Sequence, residues 1–203
     1  MTPIAVWYLN RATGIVALVL MTLTVVLGVL VRRQVRLPGL PRFGAVTLHR
    51  NVSLISALLL LTHIVCAAVD SYVSIGWLAV LVPFTSGWRP LQVGLGTLAV
   101  DLLVLIVVTS LLRLRIPERL WRGVHWTSYL LWPLAFLHGL TAGTDMHAPW
   151  VIGLAVVCAG AVVASAAAAW TGRTRAGERA PAAVAATRAA LSRGARVAVF
   201  RNR

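Results

Sequence analysis

RLWRGVHWTSYLLWPLAFLHGL, residues 119–140, is an apolar run long enough to cross a membrane, and it carries two histidines, His125 and His138, thirteen positions apart. An earlier run, residues 47–69, repeats the arrangement with His49 and His63 fourteen apart. The neutral imidazole is a common metal ligand, and a polar side chain left unpaired in hydrocarbon is costly. Two histidine pairs within apolar runs therefore point to two metal cofactors stacked across a membrane.

The rest of the chain supplies the membrane. Its 203 residues are 59% hydrophobic and 12% charged, too apolar for an ordinary soluble domain and long enough for several spans. Five runs approach the ~20 residues a span needs. They cover about 12–31, 47–69, 92–112, 121–141 and 150–170, and predict an all-α, integral membrane helical bundle. Residues 1–171 are expected to form one transmembrane domain, followed by a basic tail over 172–203.

The net charge of +14 comes from nineteen Arg and no Lys against five acids. These arginines lie between and after the apolar runs, which argues against a nucleic-acid partner. Arg32, Arg33, Arg36 and Arg42 fall in the first linker, with Arg50 just inside the next run. Arg113, Arg115, Arg119 and Arg122 fall in the next linker on that side, and eight more follow Thr171. Opposite them stand Arg11 and Arg89. Seventeen against two predicts the N-terminus outside and the C-terminus in the cytoplasm.

Smaller signals agree. Cys66 and Cys158 lie in apolar runs and read as packing residues rather than a disulfide. With no basic segment or small-residue cleavage site ahead of it, the first span is expected to stay in the mature protein. Within the outer linker, IGWLAVLVPF (75–84) is apolar but too short to cross, and reads as an interfacial or re-entrant piece. Trp77, Trp88 and Trp150 are expected at the outer interface and Trp121 at the inner one. In the Ala- and Arg-rich tail, which holds one acid, Glu178, a helix over 182–200 is expected to rest on anionic lipid headgroups.

Spans two and four, one crossing apart, run parallel. This pairs His49 with His125 near the cytoplasmic end and His63 with His138 about 20 Å further out, because each residue rises ~1.5 Å. Fourteen residues leave His49 and His63 within about 40° of one helix face, whereas thirteen leave His125 and His138 about 140° apart. Pro133 lies between the latter two, where it removes a backbone hydrogen bond, and an irregular turn is expected there. Whether that turn brings His125 and His138 onto one face is left open by the sequence. Simple hydrogen bonding across the bundle is the alternative for any one histidine. Zinc suits the pattern poorly, since no Cys, Asp or Glu lies nearby to complete a tetrahedron. A planar macrocycle held by two trans histidines needs no other protein ligand, so two haem b groups fit best, and no CxxCH motif argues for covalent attachment.

The fourteen and thirteen spacing, with PFTSGWRP (83–90) and VVTSLLRLR (107–115), resembles the ferric reductase-like transmembrane family. This family includes the membrane domains of NADPH oxidases, ferric reductases and the haem subunit of a bacterial periplasmic methionine sulfoxide reductase system. The resemblance covers about residues 8–170. It implies a multi-pass protein of a bacterial plasma membrane with His49 and His125 on the cytoplasm-side haem and His63 and His138 on the outer haem. Electron flow outward is implied too, from a flavoprotein or quinol donor to ferric iron or a flavin-carrying extracytoplasmic partner. Oxidases and eukaryotic ferric reductases continue into a flavin and nicotinamide domain, and none is expected in these 203 residues.

Arg50 and Arg122 lie near the inner level, where haem propionates need cations, although membrane anchoring accounts for them equally well. Asp101 falls near the middle of span three and is a candidate to bond an axial histidine or relay a proton. His147, close to Asp145 in the outer loop, reads as a solvated residue. Gly94, Gly96 and Ala99 match a dinucleotide-binding pattern, but no strand precedes them, so close helix packing is the better reading. The rival for the whole chain is a haem-free transporter or anchor that uses the histidines and Asp101 for proton or metal passage.

Overall fold

The computed structural model describes residues 3–34, 41–70, 73, 75–145 and 147–171. Every regular element among them is helical: α1 (Pro3–Arg32), α2 (Arg42–Val69), α3 (Trp77–Leu81), α4 (Pro90–Leu111), α5 (Glu118–Trp126), α6 (Ser128–Ala142) and α7 (Pro149–Thr171). Four of these, α1, α2, α4 and α7, are long and apolar enough to cross a membrane. The protein is a multi-pass membrane protein of all-helical class. The expected tail helix and Arg36 lie outside the described residues.

The fourth expected span, 121–141, is two helices rather than one. α5 ends at Trp126, α6 begins at Ser128, and Thr127 between them bonds back to Val124 through both its amide (3.0 Å) and its hydroxyl (2.7 Å). The interruption thus falls at Thr127, upstream of Pro133, which lies inside α6. α1 also begins earlier than the apolar run at residue 12. Arg11 ended that run, but its guanidinium is ion-paired to Asp145 and lies 4.1 Å over the Trp7 ring, so the helix continues past it.

The helical bundle is carried by Met1–Val162; of Val163–Arg203, the described part is the end of α7. α1 packs along α2, and α4 along α6. Lipid tails are as apolar as leucine, so contact in a membrane depends on small residues and interhelical hydrogen bonds. α1 presents Thr13, Ala17 and Met21, buried at every fourth position. Ser56 of α2 donates to Ala17 O (3.3 Å), and the Trp132 indole of α6 donates to Thr22 Oγ1 (3.0 Å). Met21, Ile106, Leu131, Trp132 and Cys158 join α1, α4, α6 and α7 in one core. Both cysteines are free and buried. Large apolar side chains such as Leu58, Val104 and Val156 remain exposed, as lipid-facing residues do.

The short apolar run 75–84 is not a long helix. It forms the five-residue α3, held by Thr97 Oγ1 donating to Ala79 O (2.7 Å). Phe84 (φ 65°) and Arg89 (φ 42°) then turn the chain into α4, with Pro90 at the helix start. The Phe84 ring occupies the space beside Gly94 that an added Cβ would need.

Candidate metal-cofactor site

The four histidines come together in the expected pairs. Ring centroids of His49 and His125 are 6.4 Å apart with planes at 71°, and those of His63 and His138 are 6.3 Å apart at 80°. The break at Thr127 separates the helix carrying His125 from the helix carrying His138, and each ring faces its partner on α2. α2 packs closely on neither α5 nor α6, so each pair of rings meets across a separation between helices.

Three of the four imidazoles are held at Nδ1 by a backbone carbonyl of a neighbouring helix. His49 pairs with Thr24 O (3.1 Å), His63 with Asn10 O (2.8 Å) and His138 with Gln92 O (2.8 Å). A carbonyl only accepts, so each Nδ1 carries the proton and each Nε2 keeps its lone pair for a metal. His125 differs: its Nδ1 is buried without a partner, and its ring stacks on Trp121 at 5.1 Å and 24°. The Arg113 guanidinium lies over Trp121, 4.5 Å from the ring centroid.

These residues fit a bis-imidazole macrocycle. Metal–imidazole bonds of about 2.0–2.1 Å, plus about 1.1 Å from each nitrogen to its ring centre, place trans rings roughly 6.3 Å apart. Both observed separations agree with that figure. Among the described residues no three of His, Cys, Asp and Glu cluster into a protein-only metal site. Trp121 Nε1 and Arg33 Nη2 are buried donors without protein acceptors toward the His49/His125 end, of the kind that cofactor carboxylates satisfy.

The other candidates are placed less centrally. Arg50 is exposed, and Arg122 is exposed and ion-paired to Glu118. Asp101 is exposed halfway along α4 and makes no described hydrogen bond or ion pair. It lies roughly 140° around the helix from Gly96 and 180° from Gln92, the two residues that touch His138. His147 is exposed in the loop between α6 and α7. Arg89, just before α4, donates to Thr141 O of α6 (2.9 Å), and Arg11 of α1 pairs with Asp145 in the loop after α6, so each arginine ties a helix to a loop.

Three glycines that sequence reading did not connect to the site lie against the imidazoles. An added Cβ at Gly14 would sit 2.9 Å from the His63 ring, at Gly28 3.3 Å from His49, and at Gly96 2.7 Å from His138. Gly96 was expected in close helix packing, and the group it admits is an imidazole. Comparison with curated proteins and with solved structures finds no match. The family model for the ferric reductase like transmembrane component matches residues 13–136, more than half of the sequence and all but one of the paired histidines, and the chain belongs to that family.

Proposed function

We propose that this chain is a transmembrane di-haem b-type cytochrome that passes electrons outward across a bacterial plasma membrane. Membership makes it a component of a transmembrane oxidoreductase, and membrane domains of this family generally bind haem. The observation that carries the finer reading is the pair of facing imidazole pairs, 6.4 Å and 6.3 Å between centroids, on helices that do not pack closely. In this reading residues 1–171 are the haem domain, His49 and His125 hold the cytoplasm-side haem, and His63 and His138 hold the outer one. The N-terminus lies outside and the C-terminus inside, following the arginine distribution.

Haem bound at each level supplies a centre that gains and loses one electron at a time. The chain's own residues set the conditions for that exchange. Carbonyls of Asn10, Thr24 and Gln92 fix the tautomer and orientation of three ligands. Apolar spans exclude water from both levels. Arginines at the inner end, with Arg33 half-buried and its Nη2 out of solvent and with Arg50 and Arg122 exposed, provide positive charge for carboxylates there. The donor is a flavoprotein or quinol, and the acceptor is ferric iron or a flavin-carrying partner on the outer side.

A reduced-minus-oxidised visible spectrum of the purified chain, with haem quantified as the pyridine hemochrome, tests this directly. A low-spin b-type signal near two haems per chain is the expected result. A chain purified with added haem that binds none would return the histidines to proton or metal passage.

A further inference from the structure

The three carbonyls that hold imidazoles and the three glycines that touch them follow one rule. Asn10 accepts from His63 and Gly14 touches it; Thr24 accepts from His49 and Gly28 touches it; Gln92 accepts from His138 and Gly96 touches it. In every case the glycine lies four residues after the carbonyl. A helical Cα–Cβ bond tilts toward the N-terminus, so the Cβ of residue i+4 lies beside the carbonyl of residue i. Glycine at i+4 removes the atom that would bar a side chain on the next helix from that carbonyl.

We propose that Gly14, Gly28 and Gly96 are positioning residues, each forming with the carbonyl one turn earlier a slot that seats one haem-ligating imidazole and sets its donor strength; this rests on the di-haem reading above. Gly14 and Gly28 are fourteen apart, matching His63 and His49 on the antiparallel partner helix. A fourth slot on α4 for His125 would need glycine thirteen or fourteen residues after Gly96, and Thr109 and Ser110 stand there. His125 Nδ1 correspondingly lacks a partner and its ring leans on Trp121. The outer pair is therefore seated in two slots and the inner pair in one.

The consequence is electronic as well as steric. A hydrogen bond from Nδ1–H to a carbonyl raises the basicity of the ligating nitrogen, which favours the oxidised metal and lowers its reduction potential. Filling a slot pushes the ring off its carbonyl and raises the potential at that level alone. The experiment is a spectroelectrochemical titration of the full chain with bound haem, comparing wild type, Gly14→Ala, Gly96→Ala, Gly28→Ala and Gly160→Ala, with the outer signal assigned by its loss in His63→Ala. Ala is the better helix former, so helix propensity does not oppose the substitutions and their effect is the contact with the ring.

Gly14→Ala and Gly96→Ala are expected to raise the outer potential or release the outer haem while the inner one is retained unchanged. Gly28→Ala, with its looser 3.3 Å contact, is expected to fold and move the inner potential alone. Gly160→Ala, whose Cβ meets nothing within 4 Å, is expected to move neither. Two haems with unmoved potentials in Gly14→Ala, Gly96→Ala and Gly28→Ala overturn the inference while leaving the cytochrome reading intact. Equal shifts of both levels in Gly28→Ala also overturn it. A wild-type chain without haem overturns the cytochrome reading and this one with it.

Discussion

Thr22 shows how much one polar atom decides in this bundle. Its hydroxyl donates to Leu18 O (2.9 Å) and accepts from the buried Trp132 indole (3.0 Å), so it joins α1 to α6 at the core. Valine has nearly the same shape but no oxygen, and Thr22→Val leaves the indole N–H unpaired where no water competes. A cost of about 1–2 kcal/mol is expected, since interhelical hydrogen bonds in membranes are worth roughly 0.6 and at most about 1.7 kcal/mol. Thr22→Ser keeps the oxygen and is expected to cost less. Denaturation in mixed detergent, read by near-UV circular dichroism, compares the two, and equal stabilities would mean that the indole finds another acceptor. Asp101 is the contrasting residue: an acid at mid-span reads as a site residue from sequence, yet it points away from the face of α4 that meets His138.

At the scale of elements, the four long apolar helices and the facing of His49 with His125 and of His63 with His138 were legible in the sequence, because apolar length and depth follow from composition and from a fixed rise per residue. The break between α5 and α6 was legible only as an expectation attached to Pro133. Thr127, where it falls, carries no punctuation signal, and its backbone stays near helical values (φ −65°, ψ −12°). The glycine slots were hidden for a different reason: a glycine in an apolar run reads as helix packing until the neighbouring helix is in place. The fourteen-residue spacing of Gly14 and Gly28, equal to that of His49 and His63, was the available signal. α5 compensates for the missing fourth slot through an i, i+4 stack of Trp121 on His125. Such aromatic pairs contribute about 0.5–1.5 kcal/mol, so Trp121→Ala is expected to weaken retention of the inner haem about two- to tenfold. Trp121→Phe retains a ring and is expected to hold haem nearly as wild type. Transfer of haem to apomyoglobin measures both, and faster loss of the outer haem in Trp121→Ala would contradict the assignment of His125 to the inner level.

In the proposed function the molecule carries charge through a hydrocarbon core about 30 Å thick, and its two histidine levels are about 20 Å apart along their helices. Neither level alone bridges that thickness, so the proposed function requires both at once. In that reading His63→Ala is expected to lose the outer haem and keep the inner, and His125→Ala to do the reverse, because each pair takes one histidine from α2 and one from α5 or α6. Each single-haem variant keeps the arginines, the helix-to-loop ties of Arg11 and Arg89 and the Trp132–Thr22 bond, so the bundle remains while one step of the path is removed. Vesicles loaded with dithionite and suspended in a ferric chelate separate the two properties. Wild-type vesicles are expected to reduce the external iron, while both variants show reducible haem in the spectrum and transfer no faster than protein-free vesicles. External reduction at the wild-type rate by either variant would mean that one level suffices, and the second histidine pair would then need a different purpose.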